Sequence, residues 1–244
     1  MYVKKKQYFC RMKTYKAIFL DWDDTIGDWG QAEHKALTEL YERFGLERLY
    51  PSAEAFINAY QPYNLRLWER YGRGEISKEY LHRERFLHTL GEDGSFLPEA
   101  ADAMGDTFLQ LTNKYFSVLP HAAEVVRYLA GKYPLTIISN GFKEVQYYKF
   151  AHSGLADCFA YTLISEEVGV NKPQPEIFEK ALALNGVRAD EALMIGDSLT
   201  SDMTGAHNAG IDSLWINTKG QSTKLQGEEP TYTVTDIREV MQIL

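Results

Sequence analysis

The sequence predicts an α/β protein, in which a parallel β-sheet is flanked by helices and a separate helical domain is inserted after the first strand. Three observations lead to this prediction. A short apolar strand ends in a cluster of acids, strands and helices alternate regularly past residue 119, and residues 29–117 contain no convincing strand. Alternation of strand and helix is typical of a parallel sheet with helices on both faces. The 244 residues suffice for such a core and a second domain.

The first strand lies in the stretch KAIFLDWDDTIGDW, residues 16–29. Residues 17–20 form a short apolar run of the kind that is buried on both faces of a sheet. The run ends in Asp21, Asp23 and Asp24. Because like charges repel one another, three carboxylates beside a buried strand do not stabilise the fold. The cluster therefore indicates a functional site, although such residues taken alone also form acidic turns that cap helices.

Five more strands and four helices are predicted past residue 119. The strand segments are LTIISNG (135–141), YTLIS (161–165), ALMIGD (192–197), SLWIN (213–217) and YTV (232–234). The helical segments are 122–130, 143–153, 176–185 and 200–208. A glycine follows each of these helices, which is typical of helix carboxyl ends.

The segment between the first two strands is predicted to hold four or five helices. Apolar residues recur at helical spacing in HKALTELYERF (34–44) and in AMGDTFLQLTNKYF (103–116). Ser77 is placed to cap a helix that runs to Leu90, with Gly91 after it. A simple crossover between parallel strands takes about 30 residues, and this segment is far longer. We therefore divide the chain into a core (14–27 and 118–244), a helical cap (28–117) and an amino-terminal extension (1–13) of unknown role.

Composition and charge narrow the class of partner. The apolar share is 45%, the charged share is 25% and the net charge is -8, so a nucleic acid polymer would be repelled by most of the surface. The two cysteines, Cys10 and Cys158, have no metal-ligand spacing, which favours a reducing, cytoplasmic environment. No apolar run approaches the roughly 20 residues of a membrane-spanning helix, so no membrane association is expected. The sequence does not indicate an oligomeric state.

Polar side chains follow several of the predicted strands. In chain order they are Asp21, Asp23, Ser139, Lys172 and Asp197. Because ligands bind beyond the carboxyl ends of the strands in an open parallel sheet, we expect these side chains to converge on one crevice. Asp21 and Asp197 would make a hard oxygen site, which suits Mg²⁺ better than zinc.

The same residues predict a phosphate-transferring chemistry. Lys172 and the hydroxyl of Ser139 are suited to hold the oxygens of a phosphoryl group. A carboxylate at a magnesium site that faces the phosphorus in line acts as a nucleophile, which assigns that role to Asp21. Asp23, two residues on, is near enough to protonate the leaving oxygen and later to take a proton from water.

Four motifs of the chain closely resemble those of the haloacid dehalogenase superfamily of phosphatases. FLDWDDTIGD resembles its first motif, IISNG its second, Lys172 before PQPEIFEKAL its third, and MIGDSLTSDMTGAHNAG its fourth. The resemblance implies a Rossmann-like core, Asp21 as nucleophile and Asp23 as acid and base. It further implies that Ser139, Asn140 and Lys172 bind phosphate. Under the same resemblance, Asp21, Asp197 and the carbonyl of Asp23 bind Mg²⁺, and Asp202 orients the ligands around the metal.

The inserted segment is similar to the helical cap of this superfamily. NLRLWERYGRGEISKEYLHRERF (64–86) and ISEEVGVNKPQPEIF (164–178) resemble the pyrimidine 5′-nucleotidase branch, which implies a small phosphomonoester substrate such as a pyrimidine nucleoside monophosphate. Phosphoglycolate phosphatases, sugar-phosphate phosphatases and phosphomutases of the β-phosphoglucomutase type stay open as alternatives. A receiver-like module that accepts phosphate without being an enzyme is a further alternative, although such modules are about half this size.

Three residues of the insertion are candidates for substrate contact. Asn64, Trp68 and Tyr71 fall at i, i+4 and i+7, so they share one face of a helix. The stripe either lines a pocket for a base through stacking and hydrogen bonding or packs inside the helical bundle. Arg85, further along the insertion, either meets a substrate or is an exposed helical residue, and we expect the exposed case because it is the commoner one.

Overall fold

The computed structural model describes residues 14–90, 98–222 and 229–244. Six strands in these residues form one parallel sheet with the order β3-β2-β1-β4-β5-β6. The strands are β1 (Ala17–Leu20), β2 (Leu135–Ser139), β3 (Tyr161–Ile164), β4 (Ala192–Gly196), β5 (Asp212–Ile216) and β6 (Tyr232–Val234). The predicted α/β fold with a parallel sheet is therefore confirmed.

The first strand lies inside the sheet. β1 pairs with β2 on one side and with β4 on the other, and all four of its side chains are buried. Ile18 and Leu20 pack into the apolar cluster on one face of the sheet, whereas Ala17 and Phe19 pack into the cluster on the other face. Burial on both faces explains why this strand is a continuous apolar run without polar alternation.

The described residues of the insertion after β1 contain four α-helices. They are α1 (Trp29–Arg43), α2 (Ala53–Gly72), α3 (Lys78–Leu87) and α4 (Pro98–Lys114), with short 3-10 turns at Leu46–Arg48 and His88–Leu90. Ser77 caps α3 as expected, because its side chain accepts a hydrogen bond from the backbone N–H of Tyr80. Gly91, the expected end of that helical segment, lies outside the described residues.

The helices of the insertion pack around an apolar cluster of their own. Its buried members include Leu37, Leu40, Met104, Phe108 and Leu111, which the helical spacing had placed on inward faces. The two ends of the insertion lie side by side, since the backbone N–H of Asp28 donates to the carbonyl of Ser117 over 2.9 Å. The division into core and cap at residues 27/28 and 117/118 stays a prediction.

The remaining helices flank the sheet. They are α5 (Ala122–Ala130), α6 (Lys143–His152), α7 (Ser165–Val168), α8 (Pro175–Asn185), α9 (Thr204–Asn208) and α10 (Val240–Ile243). No helix in the described ranges combines the length and the apolar character that crossing a lipid bilayer requires. The amino-terminal extension, residues 1–13, lies outside the described residues.

The segment predicted as a helix at 200–208 is α-helical only in its second half. Leu199–Met203 forms a turn of π-helix, and only Thr204–Asn208 is α-helical. The wider turn arises because the carbonyl of Ser198 accepts hydrogen bonds from the N–H groups of both Asp202 and Met203. The Ser198 hydroxyl also accepts from the N–H of Ser201 over 3.2 Å, which fixes the start of the turn. Such turns are frequent at functional sites.

Candidate active site

The carboxyl edge of the sheet brings together the side chains that follow the central strands. Asp21 follows β1, Asp197 follows the adjacent β4, and Ser139 ends β2 on the other side. Lys172 reaches the same place from the loop between α7 and α8 and is buried there. The predicted convergence at one crevice is therefore what the structure displays.

Lys172 joins two of the acids. Its Nζ donates to Oδ1 of Asp21 over 2.6 Å and to Oδ1 of Asp202 over 2.7 Å. All three side chains are buried, so water screens these contacts little. The lysine therefore fixes the position of Asp21 and itself lies beside the carboxylate that would attack.

Three carboxylates surround the space next to Lys172. One oxygen from each of Asp21, Asp197 and Asp202 lies within 4.8 Å of the others. Burial raises the pKa of Asp21 to about 7, with Lys172 opposing the rise and the like charge of Asp202 adding to it. Burial and the like charges of Asp21 and Asp202 raise the pKa of Asp197 to about 8.

These three acids fit a hard divalent cation. Lys172 contacts two of the three carboxylates, and burial together with the like charges of the neighbouring acids disfavours the ionised forms of Asp21 and Asp197. Carboxylate oxygens are the ligands that Mg²⁺ prefers. A cation of this kind would hold the acids ionised at neutral pH and remove their repulsion.

The π-helical turn places Asp202 against the end of β4. The backbone N–H of Ser198 donates to Oδ2 of Asp202 over 3.1 Å. A Cβ atom on Gly196 would lie only 2.3 Å from the same carboxylate oxygen. Glycine is therefore required at position 196, because any side chain would push Asp202 away from Lys172.

The carboxylate of Asp23 is held by two residues that sequence reasoning missed. Nζ of Lys149 donates to Oδ1 over 2.6 Å, and Nε2 of Gln146 donates to Oδ2 over 2.7 Å. Both side chains come from α6 and both are buried. A Cβ atom on Gly141 would lie 1.8 Å from Nε2 of Gln146, so only glycine leaves room for this contact. The signal in the sequence is a pair of polar residues, three apart, on the inward face of a helix.

The end of β2 supplies a second anchor for Lys172. The Asn140 side chain donates to the carbonyl of Lys172 over 2.9 Å and accepts from its N–H over 2.9 Å. The hydroxyl of Ser139 accepts from the N–H of Gly141 over 3.1 Å. The Asn140 side-chain amide is thus occupied in holding the lysine loop.

A cavity of about 210 Å³ opens above these groups, between the insertion and the sheet. Its floor includes Asp21, Asp23, Ser139 and Lys172. Its upper wall is largely aromatic and apolar, with Trp29, Trp68, Leu109, Phe142 and Val145. The cavity therefore has a polar end suited to a phosphoryl group and an apolar end suited to a flat ring.

The three candidate residues of α2 lie in different places. Trp68 lines the cavity. Asn64 is buried, and its Nδ2 donates to Glu33 over 3.4 Å. Tyr71 is buried against Phe142, with the ring centroids 6.1 Å apart. Of the stripe, Trp68 alone therefore borders the cavity.

Arg85 corrects one expectation. We expected an exposed helical arginine, but its side chain is 1% exposed and lines the cavity. The expectation was wrong because Arg85 follows Leu81 by four residues, and Leu81 lies on the inward face of α3. This spacing is the signal that would have placed Arg85 inside.

Fold and site together define a hydrolase of the α/β type. Comparison with known proteins agrees. Residues 15–210 match the family model of the haloacid dehalogenase-like hydrolases. The pyrimidine 5′-nucleotidase PynA of Streptococcus pneumoniae is 31% identical over 237 residues, covering 94% of this chain and 95% of that protein. The pyrimidine 5′-nucleotidase YjjG of Escherichia coli is 32% identical over 228 residues, covering 93% and 96%.

A solved structure shows the same architecture over almost the whole chain. The HAD-hydrolase YfnB of Bacillus subtilis, in a crystal form bound to magnesium, superimposes with a TM-score of 0.83 at 28% identity and covers 95% of this chain and 99% of that one. The protein therefore belongs to the haloacid dehalogenase-like hydrolase family. It is a phosphoric monoester hydrolase with a helical cap, and the resemblance seen in the sequence is confirmed.

Proposed function

We propose that the protein is a Mg²⁺-dependent 5′-nucleotidase that hydrolyses pyrimidine nucleoside monophosphates through an aspartyl-phosphate on Asp21. The observation that carries the chemistry is the buried contact of 2.6 Å between Lys172 and Asp21, with Asp23 on the floor of the same cavity. A cytoplasmic enzyme with a small-molecule substrate, and without a nucleic acid polymer as partner, is part of this proposal.

The reaction has two steps. In the first, a carboxylate oxygen of Asp21 bonds to phosphorus, the ester bond to the nucleoside oxygen breaks, and Asp23 gives that oxygen its proton. In the second, water attacks the phosphorus and gives a proton to Asp23, the bond between Asp21 and phosphorus breaks, and inorganic phosphate leaves. Each residue ends in the state in which it began.

The phosphoryl group is assigned to residues at the end of β2 and to the lysine of the loop between α7 and α8. The Lys172 ammonium and the Ser139 hydroxyl are assigned to its oxygens, together with the backbone N–H of Asn140. Asp21, Asp197 and the carbonyl of Asp23 are the proposed ligands of Mg²⁺, and Asp202 orients them. When bound, Mg²⁺ supplies a positive charge that neutralises the phosphoryl oxygens.

The substrate assignment depends on the aromatic end of the cavity and on the relatives. Trp29, Trp68 and Phe142 offer flat apolar faces on which a base can stack. Two relatives that match nearly the whole chain are pyrimidine 5′-nucleotidases. A phosphatase for phosphoglycolate or sugar phosphates is the second candidate, since it would use the same floor. A phosphomutase would instead return the phosphoryl group to a sugar and release little phosphate.

The test is phosphate release, in the presence of Mg²⁺, from UMP, dUMP, dTMP, purine monophosphates, phosphoglycolate and sugar phosphates. We expect preference for the pyrimidine monophosphates, loss of activity with EDTA, and loss in Asp21→Asn without loss of folding. Activity retained in Asp21→Asn would contradict the mechanism. Preference for sugar phosphates would keep the mechanism and remove the nucleotidase assignment. A phosphoprotein that persists for minutes without turnover would favour the receiver-like alternative.

A further inference from the structure

Arg85 occupies an unusual environment at the apolar end of the catalytic cavity. Its guanidinium carbon lies 4.8 Å from the ring centroid of Phe108, 5.5 Å from that of Phe86 and 5.7 Å from that of Phe142. The side chain is 1% exposed. Three aromatic rings therefore surround a buried cation, and each offers it the face of a π-system.

Two of the three guanidinium nitrogens of this cation have no hydrogen-bond partner among the described residues, and Tyr60 lies beside it. Nε and Nη2 of Arg85 are buried and have no partner among the described residues. No carboxylate of the described chain forms an ion pair with it, although Glu33 lies near enough to interact through its charge. An unpartnered buried donor costs about 1–3 kcal/mol, and more for a charged group. Native structures rarely keep such a group without a reason, and the place of Arg85 on the cavity lining makes recognition of a ligand a reason that can be tested.

The other cations of the cavity already have partners. Lys172 contacts Asp21 and Asp202, and Lys149 contacts Asp23. Among the described residues, Arg85 is the one charged side chain that the insertion contributes to the cavity lining. It shares the lining with Trp68 and Phe142, and its guanidinium carbon lies 5.7 Å from the ring centroid of Phe142. Its unpartnered Nε and Nη2 therefore leave donors for the part of the substrate that is not phosphate.

We infer that Arg85 is a specificity-determining residue that donates hydrogen bonds to a carbonyl oxygen of a pyrimidine base stacked on the aromatic wall. The inference rests on the proposed function and extends it to the base. The shape argues for a base, because Trp29, Trp68 and Phe142 match a flat ring. The guanidinium argues for a ligand with a hydrogen-bond acceptor, because it has hydrogen-bond donors and no acceptor of its own. The hydroxyl groups of a sugar would lie against aromatic rings at this end, where they would lack hydrogen-bond acceptors.

The test compares two arginines of the same helix. Arg85→Met keeps an apolar side chain of similar length but removes the donors. Arg83→Met is the matched control, since Arg83 is half-exposed and pairs with Asp102 outside the cavity. Steady-state kcat/KM is measured with UMP and with ribose 5-phosphate, which keeps the phosphoester and lacks the base. We expect Arg85→Met to lose about tenfold to hundredfold with UMP and to change little with ribose 5-phosphate. Arg83→Met should match the wild type with both.

A second measurement uses the wild-type enzyme, so it does not depend on the folding of a variant. UMP analogues in which hydrogen replaces one carbonyl oxygen of the base are compared with UMP. With the wild-type enzyme, kcat/KM for one analogue should be lower than for UMP by the same factor by which Arg85→Met lowers kcat/KM for UMP. For that analogue, Arg85→Met and the wild type should have equal kcat/KM. Equal losses with UMP and ribose 5-phosphate in Arg85→Met, or no loss with any analogue, would overturn the inference. A wild-type enzyme without preference for UMP over ribose 5-phosphate would instead overturn the proposed function.

Discussion

Asp23 depends on its neighbours for the orientation of its carboxylate. Lys149 and Gln146 each donate to one of its two oxygens, and Nζ of Lys149 also lies 4.5 Å from the ring of Trp29. Both donors are buried, so the carboxylate is fixed relative to the cavity floor. A proton donor works only when it lies within hydrogen-bond reach of the leaving oxygen. We therefore propose Lys149 as a positioning residue for the acid step of the proposed mechanism.

We predict that Lys149→Met lowers kcat by about 10²-fold with nucleoside monophosphates, because general acid catalysis contributes about 10²–10⁴-fold. The loss should be much smaller with p-nitrophenyl phosphate, whose leaving group needs little protonation. KM should change little. Lys143→Met, an exposed lysine of the same helix, is the control. Equal losses with both substrates would mean that Lys149 is structural, and recovery in Lys149→Arg would support the positioning role.

Site residues at strand ends can be predicted from the sequence more readily than site residues on helices. Asp21, Ser139 and Asp197 end or directly follow apolar strands, and the carboxyl ends of parallel strands meet at one edge. A local pattern therefore suffices to bring them together. Gln146 and Arg85 lie on helices, where the direction of a side chain depends on how the helix is rotated against its neighbours. That rotation is a property of the packing, and charged residues on a helix are read as exposed by default.

At the scale of elements, α1 and α2 enclose a buried acid. Glu33 of α1 lies 3.4 Å from Nε2 of Gln61 and 3.4 Å from Nδ2 of Asn64, both on α2. Burial raises the pKa of Glu33 to about 7, and the charge of Asp24 adds to the rise, whereas Gln61, Arg85 and Lys219 oppose it. The folded protein therefore keeps this carboxyl protonated at a pH where the unfolded chain has lost the proton.

This shift predicts a pH dependence of stability. Because the pKa of Glu33 is higher in the folded protein, its contribution to the free energy of unfolding is fully present below pH 4.5, the pKa in the unfolded chain. This contribution is lost as the pH rises through the folded pKa of about 7. Relative to Glu33→Gln, the wild-type free energy of unfolding should fall by up to about 3 kcal/mol between pH 5 and pH 8. Urea unfolding of both proteins at several pH values measures this difference. A constant difference across the range would show that Glu33 is ionised in the folded state.

The bounds of a helix agree with the prediction from the sequence where a local signal, such as a glycine after its end, defines them. α5 begins at Ala122 and ends at Ala130, directly before Gly131, as its pattern predicts. The π-helical turn at Leu199–Met203 was not predictable, because it depends on the Ser198 carbonyl and on the contact between Asp202 and Lys172 across the crevice. A long-range contact thus changed the local geometry where the site required it.

At the scale of the whole molecule, the sequence predicts the parallel sheet and the presence of an insertion, but not the order of the strands in the sheet or the contacts between insertion and core. The structure places Lys78 of α3 against the core, where Nζ lies 2.8 Å from Glu144 of α6 and 3.0 Å from Glu166 of α7. Asn171 also donates to the carbonyl of Tyr71 over 2.7 Å. These contacts join residues far apart in the chain, so no local pattern contains them. They hold the insertion against the core.

The ion pairs of Lys78 predict how substrate binding depends on salt. Each partly exposed pair contributes about 0.2–1 kcal/mol, and salt weakens it. Lys78→Met should therefore raise KM for the preferred nucleotide about two- to tenfold at low ionic strength, because the insertion is then held less firmly against the core that completes the cavity. At about 0.5 M NaCl, where the Debye length falls to a few Å, the two KM values should converge. Lys114→Met is the control, since Lys114 pairs with Glu39 inside the insertion over 2.7 Å. A ratio of variant to wild-type KM that does not change with salt would show that the ion pairs of Lys78 do not govern how the insertion is held against the core. The same ratio in Lys114→Met would show this too.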